Sequence, residues 1–210
     1  MIHNNTDILQ LLVVGSVGDG KSTLINHFYS NTAVADRKRI LSTVFGVEDS
    51  TCFVPDKART GTAGNGAEAM TTFPRIYPCK IGEKDVVLLD TSGIRVGDEE
   101  IDFLVKIQAI LKEERINIKG VLFVKSAHSS YGNIDKALKR IIQQTLATNQ
   151  GNGSITASAW DSVIIVVTKM NVIRAESRQR SLVDFETNFN QARQDEGTYG
   201  TICNSHFAPV

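Results

Sequence analysis

Gly15-Ser16-Val17-Gly18-Asp19-Gly20-Lys21-Ser22 is a complete G-x-x-x-x-G-K-[ST] phosphate-binding loop. The run Ile8-Leu9-Gln10-Leu11-Leu12-Val13-Val14 before it reads as a buried strand. Lys21 to Ser30 after it reads as a helix with Leu24, Ile25 and Phe28 on one face. Strand, glycine loop and helix form the context that the motif requires. Gly15, Gly18 and Gly20 let the backbone wrap a phosphate chain without Cβ clashes. Their N–H groups and the helix N-terminus then face the anion. Lys21 can reach the β- and γ-phosphates, and the Ser22 hydroxyl can ligate Mg²⁺. The loop set is therefore Gly15, Ser16, Val17, Gly18, Asp19, Gly20, Lys21, Ser22 and Thr23.

Working outward, strands alternate with helices. Ile76 to Lys80 and Asp85 to Leu89 read as a hairpin joined by Ile81-Gly82-Glu83-Lys84. Ile101, Leu104, Val105, Gln108 and Leu111 trace one helix face. Val121-Leu122-Phe123-Val124 is a buried strand, and Ile134, Ala137, Leu138, Ile141, Ile142 and Thr145 trace a second amphipathic helix. A polar loop spans Thr148 to Ser158, and Val163 to Val167 reads as a strand buried on both faces. Leu182, Phe185, Phe189 and Ala192 mark a last helix, and Thr201-Ile202-Cys203 a sixth strand. This order predicts an α/β fold in three layers, with a mainly parallel six-stranded sheet and one antiparallel edge strand. The whole chain, 1–210, reads as a single domain, with a long flexible region at about 46–72.

Composition narrows the function classes. The 210 residues suit one domain at about 150 residues per domain. Basic and acidic side chains balance at 23 each, which gives no argument for nucleic acid or a membrane surface. The local run Asp36-Arg37-Lys38-Arg39 reads as a solvated helix end. Cys52, Cys79 and Cys203 are far apart and without metal-ligand spacing, as expected in a reduced, cytoplasmic setting. The N-terminus lacks a basic region, and no stretch approaches the ~20 apolar residues of a membrane helix.

In such a sheet, ligands sit at the carboxyl ends of the strands. Asp90-Thr91-Ser92-Gly93 follows a strand there and fits D-x-x-G. Asp90 would hold Mg²⁺ through water, and the Gly93 N–H would bind the γ-phosphate. Thr168-Lys169-Met170-Asn171 follows the strand at 163–167, and Lys125-Ser126-Ala127-His128 follows the strand at 121–124. The latter places His128 at the same edge, where the plain alternative is a surface histidine. The stretch from Arg59 to Thr72, rich in Gly, Ala and Thr, is either a functional loop or a linker.

The order phosphate loop, threonine, D-x-x-G and Thr-x-x-Asn resembles a small GTPase domain. In detail the chain resembles the immunity-associated GTPases, a septin-like branch related to the chloroplast import receptors. The resemblance covers nearly the whole chain. Its features are Leu12 to Ser22, the spacing from Thr72 to Gly93, the Thr168-Lys169-Met170-Asn171 run, and Tyr199-Gly200-Thr201-Ile202-Cys203-Asn204-Ser205. It implies that Thr72, or its neighbour Thr71, coordinates Mg²⁺ and the γ-phosphate. It implies that Thr168, Lys169, Asn171 and Asn204 surround the base. It implies that His128 stands near where some members supply an arginine across a dimer. The implied metal ligands are Ser22, Thr72 and Asp90, and the implied catalytic residues Lys21, Thr72 and His128. The chain departs from the pattern at Ser92, usually proline, at Asn171, usually aspartate, and in a long insertion from Gly46 to Thr71. Asn171 offers one acceptor where guanine presents two donors.

The expectation is a GTP- and GDP-binding protein, with Mg²⁺, that hydrolyses slowly and acts as a switch or assembly module. Ile94 stands where many GTPases place a water-orienting glutamine. Fast hydrolysis would then need a partner or a second copy, in a nucleotide-dependent homodimer. The alternative is a nucleotide-gated interaction module with little turnover or relaxed base specificity, and an ATPase or kinase ranks last. The effector is unknown, no nucleic acid is expected, and membrane association would come only through segments absent here. With Val210 soon after the sixth strand, the chain reads as a G-domain excerpt.

Overall fold

The computed structural model describes residues 8–46, 75–91, 116–127 and 157–169, with single residues between 105 and 111, 138 and 146, and 171 and 191. Five strands run through them: β1 (Leu9–Val14), β2 (Arg75–Ile81), β3 (Lys84–Asp90), β4 (Gly120–Ser126) and β5 (Val163–Thr168). Helix α1 (Lys21–Asn31) follows β1, and α2 (Val34–Phe45) follows α1. The sheet order is β2-β3-β1-β4-β5, with every pair parallel except β2 with β3. The described sheet thus has five strands rather than six, and residues 201–203, expected as the sixth, lie outside the described residues.

Alternation along β1 divides the core in two. Leu11 and Val13 cluster with Leu24, Ile25 and Tyr29 of α1, and with Tyr77, Val86, Leu88, Leu122 and Val124. Leu12 and Val14 face the other cluster, with Ile40 and Leu41 of α2, Val87, Leu89, Phe123, Ile141, Ile142 and Trp160. Successive strand side chains point to opposite faces, and both faces of β1 are covered, as a parallel sheet requires.

The hairpin strands extend further than their apolar runs, leaving Gly82 and Glu83 as the turn. Gly82 has φ 59° at the first central position, where hairpin turns need a positive value. Pro78 lies in β2 at the sheet edge, where a missing N–H breaks no ladder bond. Two residues on, the outward Lys80 N–H donates to the Thr32 hydroxyl at 2.8 Å. Every carboxyl end of a parallel strand reaches one edge. The registers Val13↔Asp90, Val14↔Phe123 and Ser126↔Thr168 put the loop after β1 between the ends of β3 and β4.

Three expectations are corrected. Val105 is exposed, whereas Ile107 is buried and Leu111 packs beside the core. The inward face of that helix therefore runs through Ile107 and Leu111, one turn apart. The strand at 163–167 is not buried on both faces: Ile164 is 47% exposed while Val163, Ile165 and Val167 are buried. It alternates because β5 is the outer strand of the described sheet. The polar loop ends earlier than Ser158, since Ala157–Asp161 is a short helix that sinks Trp160 into the core. The run Asp36 to Arg39 lies in the first half of α2, with Asp36 in its first turn and Lys38 and Arg39 exposed, in line with a solvated charged stretch. Arg39 donates to Asp85 at 2.7 Å and to Asp36 at 3.0 Å, fastening α2 to the hairpin. The Arg37 guanidinium sits 4.1 Å from the centre of the Tyr29 ring, joining α2 to α1.

Candidate nucleotide site

Gly15 leaves β1 with φ 154°, and a Cβ there would fall on the Val124 carbonyl oxygen. The loop crosses β4 at backbone contact, which only glycine permits. Gly18 and Gly20 follow with φ 84° and 91°. Gly20 is also the N-cap of α1 and offers no side chain to the first turn. Helix N–H groups that a Ser or Asp cap would otherwise occupy are left to an external acceptor.

Lys21 is buried, and its ammonium donates to the carbonyls of Gly15 and Ser16, each at 3.0 Å. Burial lowers its pKa, while the charges of Asp90 and Asp19 act the other way. Asp90 ends β3 at 1% exposure. Its Oδ2 accepts from the Ser22 hydroxyl at 3.4 Å, and its Oδ1 is buried without a hydrogen-bond partner among the described residues. Burial pushes the Asp90 carboxyl up to about 6, opposed by the charge of Lys21 and the bond from Ser22.

An orphaned buried carboxylate oxygen is costly unless a cation or donor meets it. Ser22 and Asp90 are both hard oxygen donors, the type Mg²⁺ prefers, and phosphate oxygens and water complete such a shell. The residues present fit the ion. Among the described residues no group of three or more His, Cys, Asp or Glu could hold a metal.

The structure gives Asp19 a different part from that of a plain loop residue. Its side chain is buried beneath the loop, where Oδ2 accepts from the Ser16 N–H at 3.0 Å and Oδ1 from the Ser126 N–H at 3.1 Å. Lys125 Nζ lies 4.0 Å from Oδ2, and both residues are almost wholly buried. The Asp19 carbonyl accepts from the Thr168 hydroxyl at 2.6 Å. Thr168 is thus turned inward against the loop. Lys169 and Asn171 are exposed, and Lys169 leaves the strand at φ 58°. That value is uncommon for a residue with a side chain.

The structure therefore brings together Gly15 to Thr23, Asp90 and Thr168 at one sheet edge. Thr72, Gly93, His128 and Asn204 lie outside the described residues. Lys125, Ser126 and Thr91 were not among the expected site residues. Thr91 is fully buried and donates to the Val13 carbonyl at 2.7 Å, tying the end of β3 to β1. The signal for Lys125 was a charge directly following Val121 to Val124, inside what proves to be one continuous buried strand.

The crystal structure of Toc33 from Arabidopsis thaliana in complex with Mg²⁺ and GMPPNP resembles this chain with a TM-score of 0.53 at 16% identity. That likeness covers 97% of this chain and 70% of Toc33. Toc33 in complex with GDP and Mg²⁺ resembles it with a TM-score of 0.52 at 14% identity, covering 97% and 69%. The fold is that of a P-loop GTPase. No family model matches the sequence, and no curated protein matches it. Among the described residues no helix is long and apolar enough to cross a membrane.

The Asp90 environment has a measurable consequence in metal-free buffer. Its ordinary value is 3.8 and its folded value about 6, so the folded state holds the proton longer than the unfolded chain. The stability this contributes is full below pH 3.8 and is lost as pH rises through about 6. Asp90→Asn should therefore match wild type near pH 4 in urea unfolding with EDTA, and exceed it by an amount that grows up to pH 7. Parallel pH profiles would show that the carboxyl is not perturbed.

Proposed function

We propose that the chain is a guanine-nucleotide-binding protein that hydrolyses GTP slowly, as a switch or assembly module. The observation behind this reading is one arrangement. A glycine loop capped by Gly20 opens the α1 N-terminus beside Lys21, and the buried Asp90 Oδ1 lies next to Ser22 without a partner. The loop amides and Lys21 suit the phosphates, and Ser22 and Asp90 suit Mg²⁺. The Toc33 structures hold GDP with Mg²⁺ and GMPPNP with Mg²⁺. The resemblance to the immunity-associated branch supports guanine as the base and Thr72 as the switch threonine. A cytoplasmic setting accords with Cys79, whose thiol burial pushes up to about 12, leaving it unreactive.

In this reading the protein supplies position and charge rather than covalent chemistry. Mg²⁺, when bound, would neutralise phosphate charge. Lys21 would move from the Gly15 and Ser16 carbonyls to the phosphates, and Asp90 would act as an anion. Lys21→Ala should reduce GTP affinity in a titration by at least about a hundredfold, by removing a charge-assisted contact. Unchanged affinity refutes nucleotide binding at this loop.

Base selection would fall to Lys169 and Asn171, which stand exposed beyond β5. An amide at 171 leaves one guanine donor facing a donor. Asn171→Asp should tighten GTP binding by about 1–3 kcal/mol and sharpen selectivity over ATP. Equal affinity of the two proteins would remove Asn171 from the base site.

Hydrolysis is the step that separates this reading from a nucleotide-gated binding module. Ile94 has no group to orient water, so turnover would depend on a second copy presenting His128. Specific activity should rise with protein concentration, and His128→Ala should lower its plateau. A flat, near-zero activity under single-turnover conditions supports the binding module instead.

A further inference from the structure

Asp19 is a carboxylate beneath a loop built to hold anions. It lies between Gly18 and Gly20, is 2% exposed, and anchors two backbone N–H groups, those of Ser16 and Ser126. A negative charge there opposes any phosphate chain on the other side of the loop. Lys125 is 4% exposed at the end of β4, with Nζ 4.0 Å from Asp19 Oδ2. A buried lysine is costly to keep charged, and so is a buried aspartate, but paired they are neutral. The reach of Asp19 is visible at Lys21, whose protonated form is favoured by the charges of both Asp90 and Asp19.

We propose that Lys125 is a positioning residue that cancels the Asp19 charge beneath the phosphate loop, so that Asp19 can fasten the loop to β4 without repelling the phosphates. The proposal rests on nucleotide binding at this loop. The arrangement answers a specific difficulty. A loop of glycines has few apolar side chains with which to pack. A carboxylate that accepts two N–H bonds fastens it firmly, and the cost is a charge of the wrong sign. Lys125 removes that charge from below, leaving the upper face and Lys21 to the ligand. The Thr168 hydroxyl completes the attachment through the Asp19 carbonyl at 2.6 Å, and it also lies 3.4 Å from the Lys125 carbonyl.

The test is the ratio of GTP to GMP affinity, by calorimetry, in wild type, Lys125→Met and Asp19→Asn/Lys125→Met. Circular dichroism confirms that each is folded. Lys125→Met removes the cation beneath Asp19 and leaves more negative charge under the loop, which should lower the ratio on the order of tenfold, because GTP carries more negative charge than GMP. The double variant removes both charges together. It should bind all nucleotides more weakly, through its poorer attachment of the loop, yet return the ratio to within about threefold of wild type. A purely structural role would weaken GTP and GMP alike, leaving the ratio unmoved in Lys125→Met, and would overturn the proposal. Where Lys125→Met does not fold, Asp19→Asn takes its place: the Lys125 cation then stands uncancelled beneath the loop and should raise the ratio on the order of tenfold, and an unmoved ratio overturns the proposal. If wild type binds neither nucleotide, the nucleotide reading itself fails. If wild type binds and the ratios disagree with this order, only the role of Lys125 fails.

Discussion

A phosphate loop has to be held in place although it is nearly devoid of side chains. In this protein it is held from below by Asp19. The carboxylate accepts the N–H groups of Ser16 and Ser126, the carbonyl accepts the Thr168 hydroxyl, and Lys125 balances the charge. These contacts bind the turn after β1 to the ends of β4 and β5. The turn cannot shift without exposing a buried charge or orphaning buried N–H groups, both of which are expensive. The close passage of Gly15 over the Val124 carbonyl is the steric counterpart of the same attachment.

The parallel sheet makes this possible. Because β1 lies between β3 and β4, both neighbours deliver their carboxyl ends beside the loop. β3 brings Asp90 against Ser22 and Thr91 against Val13. β4 brings Lys125 and Ser126 beneath Asp19. The two carboxylates have opposite environments. Asp19 is satisfied by two N–H donors and a lysine, whereas Asp90 keeps one oxygen buried without a partner among the described residues. The first belongs to the attachment of the loop, and the second presents a buried oxygen acceptor beside Ser22, of the type a hard cation prefers.

The layers on either face serve the same edge. α1 packs Leu24, Ile25 and Tyr29 against one side of β1, which fixes the direction of its N-terminus and so of the first-turn amides. α2 covers the outer hairpin, with Arg39 bridging to Asp85 and Arg37 over Tyr29. Exposed ion pairs of this kind contribute little stability singly. Their effect is geometric, since Arg39 ties α2 to Asp85 of β3 and Lys80 of β2 approaches Asp36 of α2 at 3.8 Å.

What the sequence determined by itself was whatever local pattern encodes. Apolar runs marked β1, β3 and β4, because a strand covered on both faces has little room for polar side chains, and β5 carried a similar run although one of its residues, Ile164, is exposed. The glycine spacing marked the loop, because positive φ and backbone approach exclude other residues. Asp90 could be singled out because it follows such a run. Tertiary structure alone decided the rest. The inward face of the helix holding Ile107 depends on which side meets the sheet, so Val105, equally apolar, ends up exposed. The exposure of Ile164 follows from the place of β5 in the strand order, which no local pattern records. The pairing of Asp19 with Lys125 joins residues more than a hundred positions apart. It arises only because β4 lies next to β1, and charge partners at that separation leave no periodic trace in the chain.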